Sequence, residues 1–104
     1  MALQLSQTEV DGLIVIQPDG EIDLYSSPNL RKAILVAVQS ARSEVRVDLS
    51  RVGYMDSSGV ATLVEGLQGC GKNQKTFSLL QPSPAVMKVL QLARLDSVFE
   101  IREA

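Results

Sequence analysis

The chain has 104 residues, with ten basic and twelve acidic side chains, a formal net charge of −2, no histidine and one cysteine. This length predicts a single domain over residues 1–104, and the charge gives no basic field for direct binding to nucleic acid or anionic lipid. The absence of histidine and the single cysteine exclude a Ser-His-Asp or Cys-His site, a thiolate zinc site and an internal disulfide.

The amino-terminal third predicts a β-hairpin followed by a helix. Residues 3–6 and 13–16 read as strands, and the second is wholly apolar, which is typical of a central strand. Asp11-Gly12 between them is a hairpin turn signal, so these strands should be antiparallel neighbours. Turn residues at 18–20 are expected to end the second strand. Residues 33–38 form the longest apolar run, too short to span a membrane, and the first ten residues lack the features of an export signal. We therefore expect a cytoplasmic protein.

Strands and helices alternate through the rest of the chain. Ser27 before Pro28 predicts the N-cap and first turn of a helix. The apolar stripe of that helix comprises Leu30, Ala33, Ile34, Ala37, Val38 and Ala41. Residues 45–49 alternate as a strand does, and residues 50–56 are expected to form a loop. A second helix should then bury Val60, Leu63, Val64 and Leu67.

The last quarter of the chain predicts strand, helix and strand. Residues 77–80 read as a strand, and Ser83-Pro84 repeats the cap-and-proline start of a helix that should turn Val86, Leu90 and Ala93 inward. Residues 99–101 predict a short last strand. The order is β-β-α-β-α-β-α-β, an α/β domain with a mixed, mostly parallel sheet and an antiparallel N-terminal hairpin at one edge.

A glycine-rich segment at 66–73 nearly matches the phosphate-binding loop G-x-x-x-x-G-K-[ST]. Its last position is Asn73, which lacks the hydroxyl that would bind magnesium, and the segment follows a helix instead of a strand. We therefore reject a nucleotide site and interpret Gly69, Gly71 and Lys72 as the end of the second helix. Cys70 nearby is expected to be a passive, partly exposed residue.

Residues 56–59, Asp-Ser-Ser-Gly, lie where the second helix should begin. Aspartate and serine are favourable N-cap residues, so the turn could serve the helix alone. The same position favours an anion, because a helix N-terminus offers free N–H donors and the positive end of its dipole. Two adjacent hydroxyls there would make an accessible phosphate acceptor, and a phosphate would add about −1.5 to −2 charges at pH 7.

Residues 20–23, Gly-Glu-Ile-Asp, precede the first helix. They could be a polar loop in which Ile22 fills the core while Glu21 and Asp23 are solvated. Both this segment and residues 56–59 follow carboxyl ends of predicted strands. Loops at that edge of an α/β sheet lie side by side, so the two segments should share one surface.

Together these segments resemble the STAS domain family, specifically the bacterial anti-sigma factor antagonists. Residues 47–52, Val-Asp-Leu-Ser-Arg-Val, and the Met55 and Val60 that flank the Asp-Ser-Ser-Gly turn contribute to the similarity. It continues through residues 83–86 and 92–96, and so covers nearly the whole chain. Many antagonists of this family continue past the last strand with a further C-terminal helix, which we expect to be missing or vestigial here after Ile101.

The resemblance implies a switch that is not an enzyme and holds no cofactor or metal. In such a switch, unphosphorylated antagonist binds an anti-sigma factor with serine kinase activity and releases a sigma factor, thereby regulating transcription. Phosphorylation at the position matching Ser57 ends the binding, and a phosphatase resets it. The residues carried over to partner binding are Glu21, Asp23, Asp56, Ser57, Ser58 and Gly59.

A second role is also compatible with the resemblance. Short STAS proteins occur as cytoplasmic subunits of phospholipid-transporting ABC systems, where the domain docks on the ATPase and requires no phosphate. The Ser57-Ser58 pair favours the antagonist, because the transporter subunits more often vary at the second serine.

Overall fold

The computed structural model describes residues 3–40 and 42–103, which form one mixed sheet and three helices. Ala41, which the sequence places on the apolar stripe of the first helix, lies outside the described residues. The strands are β1 (Gln4–Val10), β2 (Leu13–Ile22), β3 (Glu44–Asp48), β4 (Val52–Met55), β5 (Thr76–Leu80) and β6 (Glu100–Arg102). The helices are α1 (Ser27–Val38), α2 (Ser57–Lys72) and α3 (Pro84–Leu92).

The sheet confirms the predicted class, a mixed and mostly parallel sheet with an antiparallel N-terminal hairpin. Its strands run in the order β1-β2-β3-β5-β6, and β4 pairs with the carboxyl end of β2. Only the β1–β2 pair is antiparallel among these pairings. Asp11 and Gly12 both have positive φ, 47° and 83°, which identifies the two-residue turn that the Asp-Gly pair predicted. Strand β2 lies inside the sheet, as its apolar run indicated.

The predicted end of β2 at residues 18–20 is wrong, since the strand continues to Ile22. Pro18 lacks an N–H, but β2 pairs with β3 only as far as Ile16 and with β4 only from Gly20. Pro18 lies opposite Leu5 of β1, and on the other side of β2 it falls in the gap between β3 and β4, where no N–H donor is needed. Gly20, with φ of 130°, lies at the register shift that follows.

The sequence missed β4, which lies within the predicted loop at residues 50–56. Val52 and Met55 are buried and the two residues between them are exposed, so the segment lacks the alternation of a half-buried strand. Its strand conformation follows from tertiary pairing with β2. The observed order is therefore β-β-α-β-β-α-β-α-β.

The starts of α1 and α3 differ in how they are capped. The N-cap of α1 is Ser26, one residue before the predicted cap, and its side chain makes no capping hydrogen bond to the helix. Ser83 is the N-cap of α3, as predicted, and its hydroxyl accepts from the Val86 N–H at 3.3 Å. Val86 and Leu90 are buried, but Ala93 is exposed at the C-cap, so its predicted inward position is wrong.

The glycine-rich segment forms the carboxyl-terminal end of α2, as predicted, but its glycines are helical residues and the cap follows them. Helix α2 continues to Lys72 and is capped by Asn73. A Cβ atom on Gly66 would lie 2.8 Å from the Phe77 ring and 2.9 Å from Ile34. This glycine therefore allows α2 to approach β5 and α1 closely. Cys70 is buried, at 1% exposure, and is not partly exposed as predicted.

The core lies between the helices and one face of the sheet. Its fully buried side chains include Ile14, Ile16, Val45, Val47 and Leu79 from the strands and Leu30, Ile34, Leu63 and Leu90 from the helices. Within the described part of the chain, no helix is long and apolar enough to cross a membrane.

Candidate functional site

Two segments meet at the carboxyl end of β2 and β4. The strands run parallel there, with Glu21 opposite Tyr54 and Ile22 opposite Met55. Beyond the pairing, the backbone N–H of Asp56 donates to the Ile22 carbonyl at 3.1 Å. The predicted adjacency of residues 20–23 and 56–59 is thus a direct main-chain contact, although residues 20–22 belong to a strand and not to a loop.

Asp23 organises the turn that leads into α1. Its Oδ1 accepts from the backbone N–H groups of Tyr25 and Ser26, each at 2.9 Å. In return the Asp23 N–H donates to the Ser26 hydroxyl at 2.9 Å, and that hydroxyl donates to the Glu21 carbonyl at 2.7 Å. The Ser26 N–H is the main cause of the lowered pKa of Asp23. This carboxylate is therefore a fixed anion that shapes the surface.

Asp56 caps α2 with the same carboxylate oxygen twice. Its Oδ1 accepts from the Ser58 N–H at 2.9 Å and from the Ser58 hydroxyl at 2.5 Å. Its carbonyl accepts from the N–H groups of Gly59 and Val60 at 3.1 and 3.2 Å. The expected supply of free first-turn donors is therefore largely used by Asp56, and what remains for an anion is chiefly the helix dipole.

The two serines of the turn occupy different environments. Ser58 is half-buried and its hydroxyl is committed to Asp56. Ser57 is the first residue of α2 and is exposed, and its hydroxyl takes no part in the hydrogen bonds that the described residues make around this turn. Ser57 is the hydroxyl that a second protein can reach without disturbing the cap.

Gly59 and Glu21 belong to the site in different ways. Gly59 is buried, and a Cβ atom there would lie 2.4 Å from Met55 Cγ and 2.8 Å from Ile22 Cγ2. The lack of a side chain at Gly59 therefore allows the first turn of α2 to pack closely against the ends of β2 and β4. Gly59 has no side chain with which to contact a partner. Glu21 is exposed beside Tyr54 and contributes negative charge to the surface.

Sequence reasoning missed the apolar part of this surface. Leu24 and Tyr25, in the turn after Asp23, are 69% and 89% exposed, and Tyr54 on β4 is 49% exposed. Large apolar side chains in a turn that follows a buried strand were the available signal. It also missed Ser26, although the three-residue spacing from Asp23 is that of a side-chain cap.

The site holds serines and carboxylates but no cluster of metal ligands. Among residues 3–40 and 42–103, no three or more Asp, Glu, Cys or His side chains are arranged to hold a metal ion. The arrangement presents one exposed serine hydroxyl, that of Ser57, flanked by fixed carboxylates and by the exposed side chains of Leu24 and Tyr25. That chemistry suits recognition and modification by another protein.

Comparison with known proteins is consistent with this arrangement. The family model described as "Mlab, STAS domain" matches residues 5–102. A protein of Staphylococcus aureus named anti-sigma-B factor antagonist is 26% identical over 103 residues, covering 99% of this chain and 95% of that protein.

Solved structures of similar proteins share the fold. An anti-sigma factor antagonist from Mycobacterium paratuberculosis superposes with a TM-score of 0.88 at 27% identity, covering 98% of this chain and 86% of that one. The Bacillus cell fate determinant SpoIIAA in its phosphorylated form superposes with a TM-score of 0.73 at 27% identity, covering 97% of this chain and 91% of that one.

Proposed function

Because this chain belongs to the STAS domain family, we propose that it is an anti-sigma factor antagonist whose binding is controlled by phosphorylation of Ser57. In this proposal the unphosphorylated chain binds an anti-sigma factor that is also a serine kinase, in the cytoplasm, and so releases a sigma factor. A phosphatase restores the binding form. The chain is a substrate of these enzymes, and no catalytic residue, cofactor or metal is assigned to it.

The observation that carries the proposal is the difference between Ser57 and Ser58. Only the Ser57 hydroxyl is both exposed and independent of the α2 cap. A kinase can therefore modify it without breaking the hydrogen bonds from Ser58 to Asp56. The name of the phosphorylated Bacillus relative supports the same kind of modification.

Electrostatics supports a loss of binding on phosphorylation. A phosphate on Ser57 would add about −1.5 to −2 charges next to Asp56, on an edge that already carries Glu21 and Asp23. Since Asp56 already accepts from the N–H groups of Ser58, Gly59 and Val60, we expect the phosphate to project outward, where a docked partner has to desolvate it. The modified surface would repel the acidic groups of a partner and disrupt apolar contacts at Leu24 and Tyr25.

The experiment uses the purified chain, the anti-sigma factor kinase encoded in the same genome, and ATP. We expect one phosphate per chain, located at Ser57 by mass spectrometry, and tight binding only of the unmodified form by calorimetry. Ser57→Ala should bind and remain unmodified, whereas Ser57→Asp should bind at least about tenfold more weakly, as expected for a charge buried without a partner.

Ser58→Ala is the matched control, because it removes the neighbouring hydroxyl and leaves Ser57 in place. We expect it to be phosphorylated at Ser57. Normal binding by Ser57→Asp would overturn the switch. The transporter-subunit alternative is a separate outcome: purification of the tagged chain from its own cells together with an ABC ATPase, equally for wild type, Ser57→Ala and Ser57→Asp, would replace the antagonist role.

A further inference from the structure

Strand β1 is an exposed edge of the sheet. All seven of its residues are exposed, and it pairs with β2 on one side only. Natural edge strands are usually protected by charged side chains, especially lysine, by proline or by a bulge. Strand β1, Gln-Leu-Ser-Gln-Thr-Glu-Val, contains neither proline nor lysine, and its one charged side chain, Glu9, is paired with Arg42. Its pairing with β2 is also regular from Gln4 to Val10. This edge can accept another strand.

The hairpin turn determines which backbone groups face outward. In a two-residue hairpin the residues next to the turn, here Val10 and Leu13, exchange both backbone hydrogen bonds. The alternation along an antiparallel pair then directs the N–H and C=O groups of Leu5, Gln7 and Glu9 away from β2.

An apolar groove lies beside this edge on the helix-covered face. Leu3, Leu5 and Gln7 line one side, and Asn29, Lys32, Ala33 and Val36 of the α1 segment line the other, around a volume of about 430 Å³. Val36 is 61% exposed. The groove thus combines apolar walls, one cation and an adjacent row of free backbone groups, the combination that recognition by strand addition uses.

We propose that this chain forms a homodimer through antiparallel pairing of β1 with β1 of a second copy. The register that joins all three outward-facing residues places Gln7 opposite Gln7 on the two-fold axis and Leu5 opposite Glu9 of the second copy. On the opposite face, the same register places Ser6 beside Thr8 of the second copy, a pair that can form a hydrogen bond across strands.

Charge complementarity favours a second copy of this chain as the partner that binds at the β1 edge and its groove. Glu9 of the second copy arrives next to Leu5, at the groove that Lys32 lines. Within its own chain Glu9 pairs with Arg42 at 2.9 Å, and both side chains of that pair remain more than 40% exposed. Each Glu9 therefore lies between two cations in the dimer, and no like charges face each other along the paired strands. The dimer joins two six-stranded sheets into one.

The test measures mass by sedimentation equilibrium from about 1 μM to about 1 mM chain, the range in which weak homodimers dissociate. We expect the wild-type mass to rise toward twice that of the monomer. Gln7→Lys should remain monomeric, since it places two lysines opposite each other on the axis. Val10→Lys, the matched control, adds the same charge to the same strand opposite Gln4 and should dimerise like wild type.

A mixing experiment separates blocked pairing from misfolding. Gln7→Glu alone should also be monomeric, whereas an equimolar mixture with Gln7→Lys should form a heterodimer, because opposite charges then meet on the axis. In wild-type protein, amide exchange at Leu5, Gln7 and Glu9 should slow as concentration rises. A wild type that is monomeric throughout, a dimer that Gln7→Lys leaves intact, or unchanged exchange at these amides would overturn the proposal. None of these outcomes depends on phosphorylation of Ser57.

Discussion

At the scale of single residues, the glycines of this chain have unequal roles. Gly59 and Gly66 each occupy a position where a Cβ atom would lie within 3 Å of a buried side chain, whereas Gly71, on the same helix, has no neighbouring atom within 4 Å of such a Cβ. The first two set how closely α2 approaches the sheet and α1. Gly71 is a residue of the helix surface.

Gly59→Ala should therefore destabilise the fold by about 1–3 kcal/mol, the usual effect of overpacking a filled core. Gly71→Ala is the control. It should be neutral or stabilising by up to about 1 kcal/mol, since alanine has a higher helix propensity than glycine. Urea unfolding followed by circular dichroism measures both. Equal stability of the two variants would show that the contacts of Gly59 with Met55 and Ile22 relax freely.

Cys70 is predicted to be chemically inert in the folded chain. Burial raises the pKa of its thiol, with a smaller opposing effect of the Lys75 charge, so little thiolate is present at neutral pH. We expect a maleimide reagent to modify Cys70 at the rate at which the chain opens, and rapidly in urea. Rapid labelling of the native protein would contradict the buried position.

At the scale of elements, a single serine connects α3 to the missed strand β4. The Ser83 hydroxyl caps α3 at Val86 and donates to the Val52 carbonyl at 2.5 Å. It therefore satisfies a backbone group of β4 as well as one of α3. The short strand is held between β2 and the start of a helix.

Ser83→Ala should cost about 1–2 kcal/mol of unfolding free energy, through loss of the N-cap and of the Val52 partner. Ser26→Ala gives a contrasting case, because the Ser26 hydroxyl serves the turn at Asp23 and Glu21 and not the cap of α1. We expect its main effect on partner binding. Thermal unfolding and calorimetric titration of both variants measure the two effects separately.

The elements also mark how much of the architecture is encoded locally. The Asp11-Gly12 turn, the Ser83-Pro84 helix start and the Asp-Ser-Ser-Gly turn were predictable, because each depends on backbone conformation and capping within a few residues. Strand β4 and the continuation of β2 past Pro18 were not, since both result from pairing between distant segments. The shared location of residues 20–23 and 56–59 was predictable from strand order, whereas the exposed position of Tyr54 depends on the pairing of β4 with β2.

At the scale of the whole molecule, the carboxylates of Asp23 and Asp48 make the free energy of unfolding depend on pH. Burial alone would raise the pKa of Asp48, but hydrogen bonds from Ser50 and Gln17 and the charge of Arg51 outweigh it and lower the pKa. The pKa of Asp23 is also lowered, chiefly by the hydrogen bond that its carboxylate accepts from the Ser26 N–H. Both groups hold a proton less tightly in the folded chain than in the unfolded chain, where the pKa is about 4.

The contribution of these groups should be fully present above about pH 4 and lost as pH falls through their lower folded pKa values. Urea unfolding between about pH 2 and 7 should therefore show a loss of stability on acidification. Asp48→Asn should be less stable than wild type at neutral pH and should lose less on acidification. If Asp48→Asn lost as much unfolding free energy on acidification as wild type, the pH dependence would come from other groups.

The freedom of the Ser57 hydroxyl has a consequence for how variation in this chain can be detected. Because that hydroxyl supports neither the α2 cap nor the core, its removal should leave folding, expression and cellular lifetime unchanged. In the proposed switch, a variant that has lost the Ser57 hydroxyl would therefore have the abundance and thermal stability of wild type. Screens that measure protein abundance would not detect variants at Ser57, whereas an assay that measures how much partner is bound would detect them.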